Sequence, residues 1–325
     1  VAQGSIRRHL VVKILQAILT LLFVLTFNFF LFRGLGDPTQ LLAKQRGNMT
    51  PAALADLKRQ LGLDLPLPQQ FVHYLWETVR FRLGYTFDNQ PVSTTIAQAV
   101  WPTVLLIGTS TIASILLGVW IGIAQGWRWG SRFDQGWLAV TLVLYAMPEF
   151  WFGLLMIMLF AVTLNIFPSG FMQTPGAGYT GIANVVDILK HLALPFFVLT
   201  VAYLAEYSLI MRSSLTEVLT EDYIQTARAK GVRERLVRRR HAVPNALLPT
   251  ITVTILSLGY VLGGAIVIET IFSWPGLGRL TYEAIGNQDF ALLEGLFLVF
   301  SVAVIAANLV ADLLYSYLDP RVRAA

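Results

Sequence analysis

A chain of 325 residues that is 55% hydrophobic and only 13% charged falls far below the ~25% charged residues of a soluble domain, so most of its surface cannot face water. Four His and no Cys exclude a disulfide framework, a thiolate metal site, a Cys nucleophile and an HExxH zinc centre, and no metal site is expected. The formal net charge of +5 is too small to point to nucleic acid, and the charges stand at the ends of apolar runs.

Six apolar runs, about 12–32, 103–126, 137–164, 192–212, 247–268 and 291–318, reach the ~20 residues that a membrane-spanning helix needs. The expected fold class is therefore all-α, a polytopic membrane protein with six transmembrane helices in one domain over residues 1–325. Arg7 and Arg8 precede the first run, but it is too long for a signal peptide and lacks a small-residue cleavage site, so it reads as a retained helix. Pro148 predicts a kink in the third run, because it removes one backbone donor.

The stretch 34–100 is too polar to span but carries helix signals of its own. Thr50 and Pro51 suit an N-cap and a first helical position, Leu54, Leu57 and Leu61 share a face, and Gly62 marks an end. Around 69–82, the spacing puts Phe71, Leu75, Trp76 and Val79 on a common side. These helices are expected to lie along the membrane surface or to cap the bundle.

Basic residues sort the loops. Arg7, Arg8 and Lys13, then Arg128 and Arg132, then eight from Arg212 to Arg240, then Arg321 and Arg323 all fall on one side. The positive-inside rule makes that side cytoplasmic, with both termini inside and 34–100 outside.

Chemistry of the catalytic kind is not expected. A Walker A loop needs Gly-Lys before Ser or Thr, and no Gly-Lys pair occurs, so any ATP is hydrolysed elsewhere. Gly34-Leu35-Gly36-Asp37 matches the GxGD string of intramembrane aspartyl proteases but lacks a Tyr-Asp partner. A rhomboid-type GxSG string is also lacking.

Acids at membrane depth cost ~2.5 to 3.5 kcal/mol on insertion scales, so Glu149, Glu206 and Asp312 must face protein or water. Glu149 follows Pro148, where the kink frees a carbonyl, and Glu206 has Tyr203 and Tyr207 beside it. Both are candidate pathway residues. They also carry the alternative reading, an ion-coupled secondary transporter. Asn308 and Asp312 form a helical ladder expected to join helices.

The cytoplasmic loop 213–244 has a different design. Glu221 and Asp222 precede a short helical segment to Lys230, Gly231 breaks it, and a second helix runs up to Pro244. Such a helix, glycine, helix element suits docking.

The residues of this loop resemble a family. Asp222-Tyr223-Ile224-Gln225-Thr226-Ala227-Arg228-Ala229-Lys230-Gly231, with Pro244 and Asn245-Ala246-Leu247-Leu248-Pro249 after it, is similar to the EAA loop of bacterial ABC importer permeases of the dipeptide, oligopeptide and nickel group. The likeness extends to Gly36-Asp37-Pro38, Leu61-Gly62-Leu63-Asp64, Pro66-Leu67, the run Thr270 to Gly278, and Asn308-Leu309 through Asp312 to Leu318-Asp319-Pro320-Arg321. The family's Glu-Ala-Ala positions fall on Gln225, Thr226 and Ala227, and its later Ile-x-Leu-Pro falls on His241, Ala242, Val243 and Pro244.

The resemblance implies half of a translocation pathway in a bacterial cytoplasmic membrane. Asp222, Gln225, Thr226, Ala227, Gly231, His241 and Pro244 would seat the loop on a cytoplasmic ATPase, with Ala227 on the docking face. It implies a homologous second permease, two ATPase subunits carrying ATP and Mg, an extracytoplasmic solute-binding protein, and no cofactor in this chain. Cargo stays open among dipeptide, longer peptide, nickel and haem. The tip of loop 165–190, with Phe171 and Met172, is the first candidate for contact with the binding protein, and loop 271–290 the second. Arg238, Arg239 and Arg240 are expected at anionic lipid headgroups.

Overall fold

The structure is a computed structural model that describes residues 2–34, 51–60, 64–261 and 265–318. The strings Gly36-Asp37-Pro38, Leu61-Gly62-Leu63 and Asp319-Pro320-Arg321, and the expected helix signals at Thr50 and Gly62, lie outside the described residues. Among the described residues the fold is helical, with a single β-bridge between Tyr85 and Pro91.

The helices are α1 (Ala2–Gly34), α2 (Pro51–Gln60), α3 (Leu67–Val79), α4 (Val92–Trp127), α5 (Arg132–Ala146), α6 (Glu149–Thr163), α7 (Gly181–Val218), α8 (Asp222–Ala229), α9 (Val243–Val261), α10 (Ile266–Ile271), α11 (Leu277–Gly286) and α12 (Phe290–Leu318). Among the described residues, α1, α4, α7 and α12 are each long and apolar enough to cross a membrane, and α5 with α6 makes a fifth if taken as one broken span. The run expected to span at 247–268 is divided between α9 and α10.

Pro148 does more than kink its run. α5 and α6 meet at 96°, because Met147, as the residue before a proline, is held extended at φ −78° and ψ 126° and cannot continue the helix.

By contacts the chain divides into two units, residues 1–101 with 276–325, and residues 102–275. In the first, α1 packs on α12: Lys13 Nζ lies 2.8 Å from Asp312 Oδ2, Asn28 Nδ2 donates to Glu294 O at 3.2 Å, and the Phe32 ring meets Phe290 and Phe297. Asp289 Oδ2 accepts from Phe87 N at 2.6 Å, which fixes the turn before α4.

The second unit is organised by a seam of small residues. Ser110, Ser114, Gly118, Gly122 and Gly126 recur every fourth position of α4 and are all buried. A Cβ on Gly118 would lie 2.7 Å from Tyr207 Cβ, and one on Gly122 would lie 2.7 Å from Met211 Cβ. Backbones can approach so closely only where side chains are missing, and in a membrane that approach supplies the packing that a hydrophobic effect between helices does not. Ser114 Oγ adds a hydrogen bond to Thr200 O at 3.0 Å, and Gln125 Nε2 one to Ser208 Oγ at 3.3 Å. α4 and α7 are thereby locked along several turns.

Candidate functional site

Three places in the second unit bring chemistry together, one beyond each end of α7 and one along its middle. After α7 ends at Val218, α8 starts with Asp222 in its first turn, where a negative charge suits the helix dipole. Gly231 has φ +71°, a left-handed conformation that glycine adopts without strain. Arg228 Nε bridges this turn to Glu234 Oε1 at 3.0 Å. Beyond it Glu234–Leu236 and a π-helical turn, Val237–Ala242, run straight into α9.

The helix expected to end at Pro244 therefore continues through it. Pro244 has no N–H to donate to a carbonyl of the preceding turn, and the wider π turn ahead of it changes the hydrogen-bond register there. His241 is half-buried and its carbonyl accepts from Asn245 Nδ2 at 2.6 Å, while Pro244 is exposed.

The inner face of this element is Ile224, Ala227, Val237, Ala242 and Ala246, packed with Met211 and Leu215 of α7. Ala227, expected on the docking face, is instead 7% exposed and turned into this core, because residues 224 and 227, three apart, share the apolar side of α8. The outward face carries Asp222, Tyr223, Gln225 and Thr226. Partial burial, and then Glu221, raise the Tyr223 hydroxyl above its usual range, so it remains neutral.

The loop ahead of α7 is clasped rather than slack. Asp187 accepts from Thr174 N and Thr174 Oγ1, both at 2.7 Å, and His191 Nδ1 faces Gly170 O at 2.7 Å. Phe171 N donates to Phe272 O at 2.8 Å, and a Cβ on Gly170 would meet that same oxygen at 2.8 Å. Phe171 takes a left-handed φ of 68° and stands 51% exposed. Met172, expected beside it at the tip, packs onto the apolar cluster that includes Leu199, Ile268, Phe272 and Trp274. Trp274 is itself buried, with Nε1 donating to Pro102 O at 2.8 Å.

Between these ends lie the intramembrane acids. Glu149 is half-buried in the first turn of α6 and Glu206 is exposed on α7. Tyr203 lies within electrostatic reach of both, and of Glu269. Glu269 is fully buried and accepts from Thr103 Oγ1 at 2.9 Å. Sequence reasoning passed over Glu269, since it stands directly after an apolar run and reads as a span-end residue. Asn308 is exposed on α12.

Two family models match the chain. One, described as the binding-protein-dependent transport system inner membrane component, covers residues 114–324, and its N-terminal companion covers residues 6–107. The dipeptide transport system permease protein of Escherichia coli K12 is 37% identical over 306 residues, which is 89% of this chain and 90% of that protein. The glutathione transport system permease protein of Salmonella typhimurium is 38% identical over 319 residues, 96% of this chain and 98% of that protein.

Proposed function

Since the chain belongs to the family of inner membrane components of binding-protein-dependent transport systems, we propose that it is a permease subunit of an ATP-driven importer of peptides, forming one half of the pathway. Its partners on this reading are a homologous permease, two cytoplasmic ATPase subunits that bind ATP and Mg, and an extracytoplasmic solute-binding protein. Six spans and cytoplasmic termini belong to the same proposal, supported by the distribution of basic residues. The chain itself is a conduit without catalytic residues. The ion-coupled alternative draws no support from the relatives.

The observation that carries the reading is the α8, Gly231, π-turn element. Its outward polar face leaves it free to seat in a partner, while its inward face is continuous with the packing of α7 and α9. A push on α8 therefore reaches the spans as a rigid-body displacement. Asp222, Gln225, Thr226, Gly231, His241 and Pro244 build or present that element, and Ala227 anchors it. Glu149 and Glu206 supply negative charge suited to the amino end of a peptide in transit, while the buried Glu269 is held by Thr103.

Thr226→Arg, on the exposed face, should leave insertion and folding intact yet abolish co-purification of the ATPase and solute uptake. Wild-type uptake with normal insertion would overturn the docking assignment.

A further inference from the structure

α3 has two faces, and among the described residues only one is covered. Gln70 and Thr78 are buried, and Phe71 and Tyr74 meet the Phe29 ring of α1 at 5.2 and 5.5 Å between centroids. Asn28 Nδ2 reaches the Tyr74 hydroxyl at 3.3 Å, which burial first, and Glu294 next, push up to about 12. The spacing predicts Trp76 and Val79 on the same side as Phe71. They lie instead on the opposite face with Val72, at exposures of 55%, 74% and 65%.

The depth of this helix follows from what it touches. Asn28 and Phe29 lie six and five residues before α1 ends at Gly34, about 9 Å along a helix axis, so α3 packs against a segment still inside the span. An apolar stripe at that depth sits where headgroups give way to acyl chains. Phe27 and Phe30 of the same span are also exposed, at 53% and 58%, as expected of a helix that meets acyl chains at this level. The Arg80 guanidinium lies 4.0 Å from the centroid of the Trp76 ring, and Trp with Arg is the pairing suited to the headgroup level.

We infer that phospholipid of the extracytoplasmic leaflet occupies the Val72, Trp76 and Val79 face, making α3 an interfacial anchor that fixes the outer end of α1 in the bilayer. Such a helix buries its apolar face ~5 to 10 Å below the headgroups. The inference rests on the orientation proposed above only for the identity of the leaflet.

The chain has no Cys, which makes the test direct. Val72→Cys, carrying a nitroxide, is measured in the assembled transporter with Cys-free partners in liposomes, with and without the binding protein. Phe23→Cys serves as the lipid reference and Asp88→Cys as the water reference. Oxygen should relax the label at residue 72 severalfold more than chromium oxalate does, as at residue 23, whether or not the binding protein is present. Preferential relaxation by chromium oxalate, as at residue 88, would overturn the inference. So would exclusion of both relaxants, which on addition of the binding protein would transfer the face to that protein and before it would transfer the face to another subunit. Val79→Cys repeats the measurement should the first variant assemble poorly. Protection of a lipid-exposed label from external ascorbate would leave the anchor intact and overturn the orientation alone.

Discussion

Asp134 and Arg212 are 78 positions apart and meet as a bidentate pair, Nε to Oδ1 at 2.6 Å and Nη2 to Oδ2 at 2.9 Å. Asp134 is 1% exposed, and its carboxylate also accepts from Gly130 N at 3.0 Å, ahead of a helix start capped by Ser131. The pair ties the base of α5 to α7 six residues before α7 ends at Val218.

Breaking that pair from one side should cost more than removing it. Arg212→Met leaves the buried carboxylate of Asp134 without its counter-charge, a loss of about 3–5 kcal/mol. Adding Asp134→Leu should restore most of the thermal stability measured on the purified assembly. A double variant as unstable as Arg212→Met alone would show that the loss came from packing.

The small-residue seam predicts a graded response. Gly122→Leu must displace Met211 Cβ and Ser208 O, each of which a Cβ alone would approach to 2.7 Å. Overpacking of this kind costs about 1–3 kcal/mol and should separate α4 from α7. Gly136→Ala, where nothing lies within 4 Å, should be neutral. Folded yield and melting temperature of the two variants provide the comparison.

Loss of the Asp187 clasp should free the loop without unfolding the core. Asp187→Ala strips Thr174 N and Thr174 Oγ1 of their acceptor and should speed proteolysis between residues 170 and 178. A photoreactive group at Phe171 should capture the binding protein in the wild-type assembly and do so less efficiently in this variant. Unchanged cleavage would mean that His191 and Phe272 hold the loop alone.

What the sequence made legible follows from what is local. The apolar runs announced α1, α4, α7 and α12, and the charge and glycine pattern announced α8 and its turn. Long-range partners left weaker traces. The four-residue spacing from Ser110 to Gly126 was there to be counted, but no pattern named Tyr207 and Met211 as what it faces. Asp134 and Arg212 each read as an ordinary flanking charge. Ala227 and the Trp76 face were assigned the wrong sides, since alanine is apolar enough to bury and small enough to expose, and an interfacial helix has apolar residues on both faces. Glu269 needed Thr103, which lies 166 positions away, before its burial made sense.

The 38 residues of α7 rise about 57 Å, nearly twice the ~30 Å of a hydrocarbon core. One continuous helix, with Pro195 in its interior, thus carries the Asp187 clasp near its start and the Met211 and Leu215 seat of α8 near its end. A strut has no preferred direction of travel. If nucleotide binding at the far end alters the affinity of the outer loop for whatever docks there, docking must alter nucleotide affinity by the same factor. Whatever seats on α8 would then respond to docking at the other end before any solute has moved.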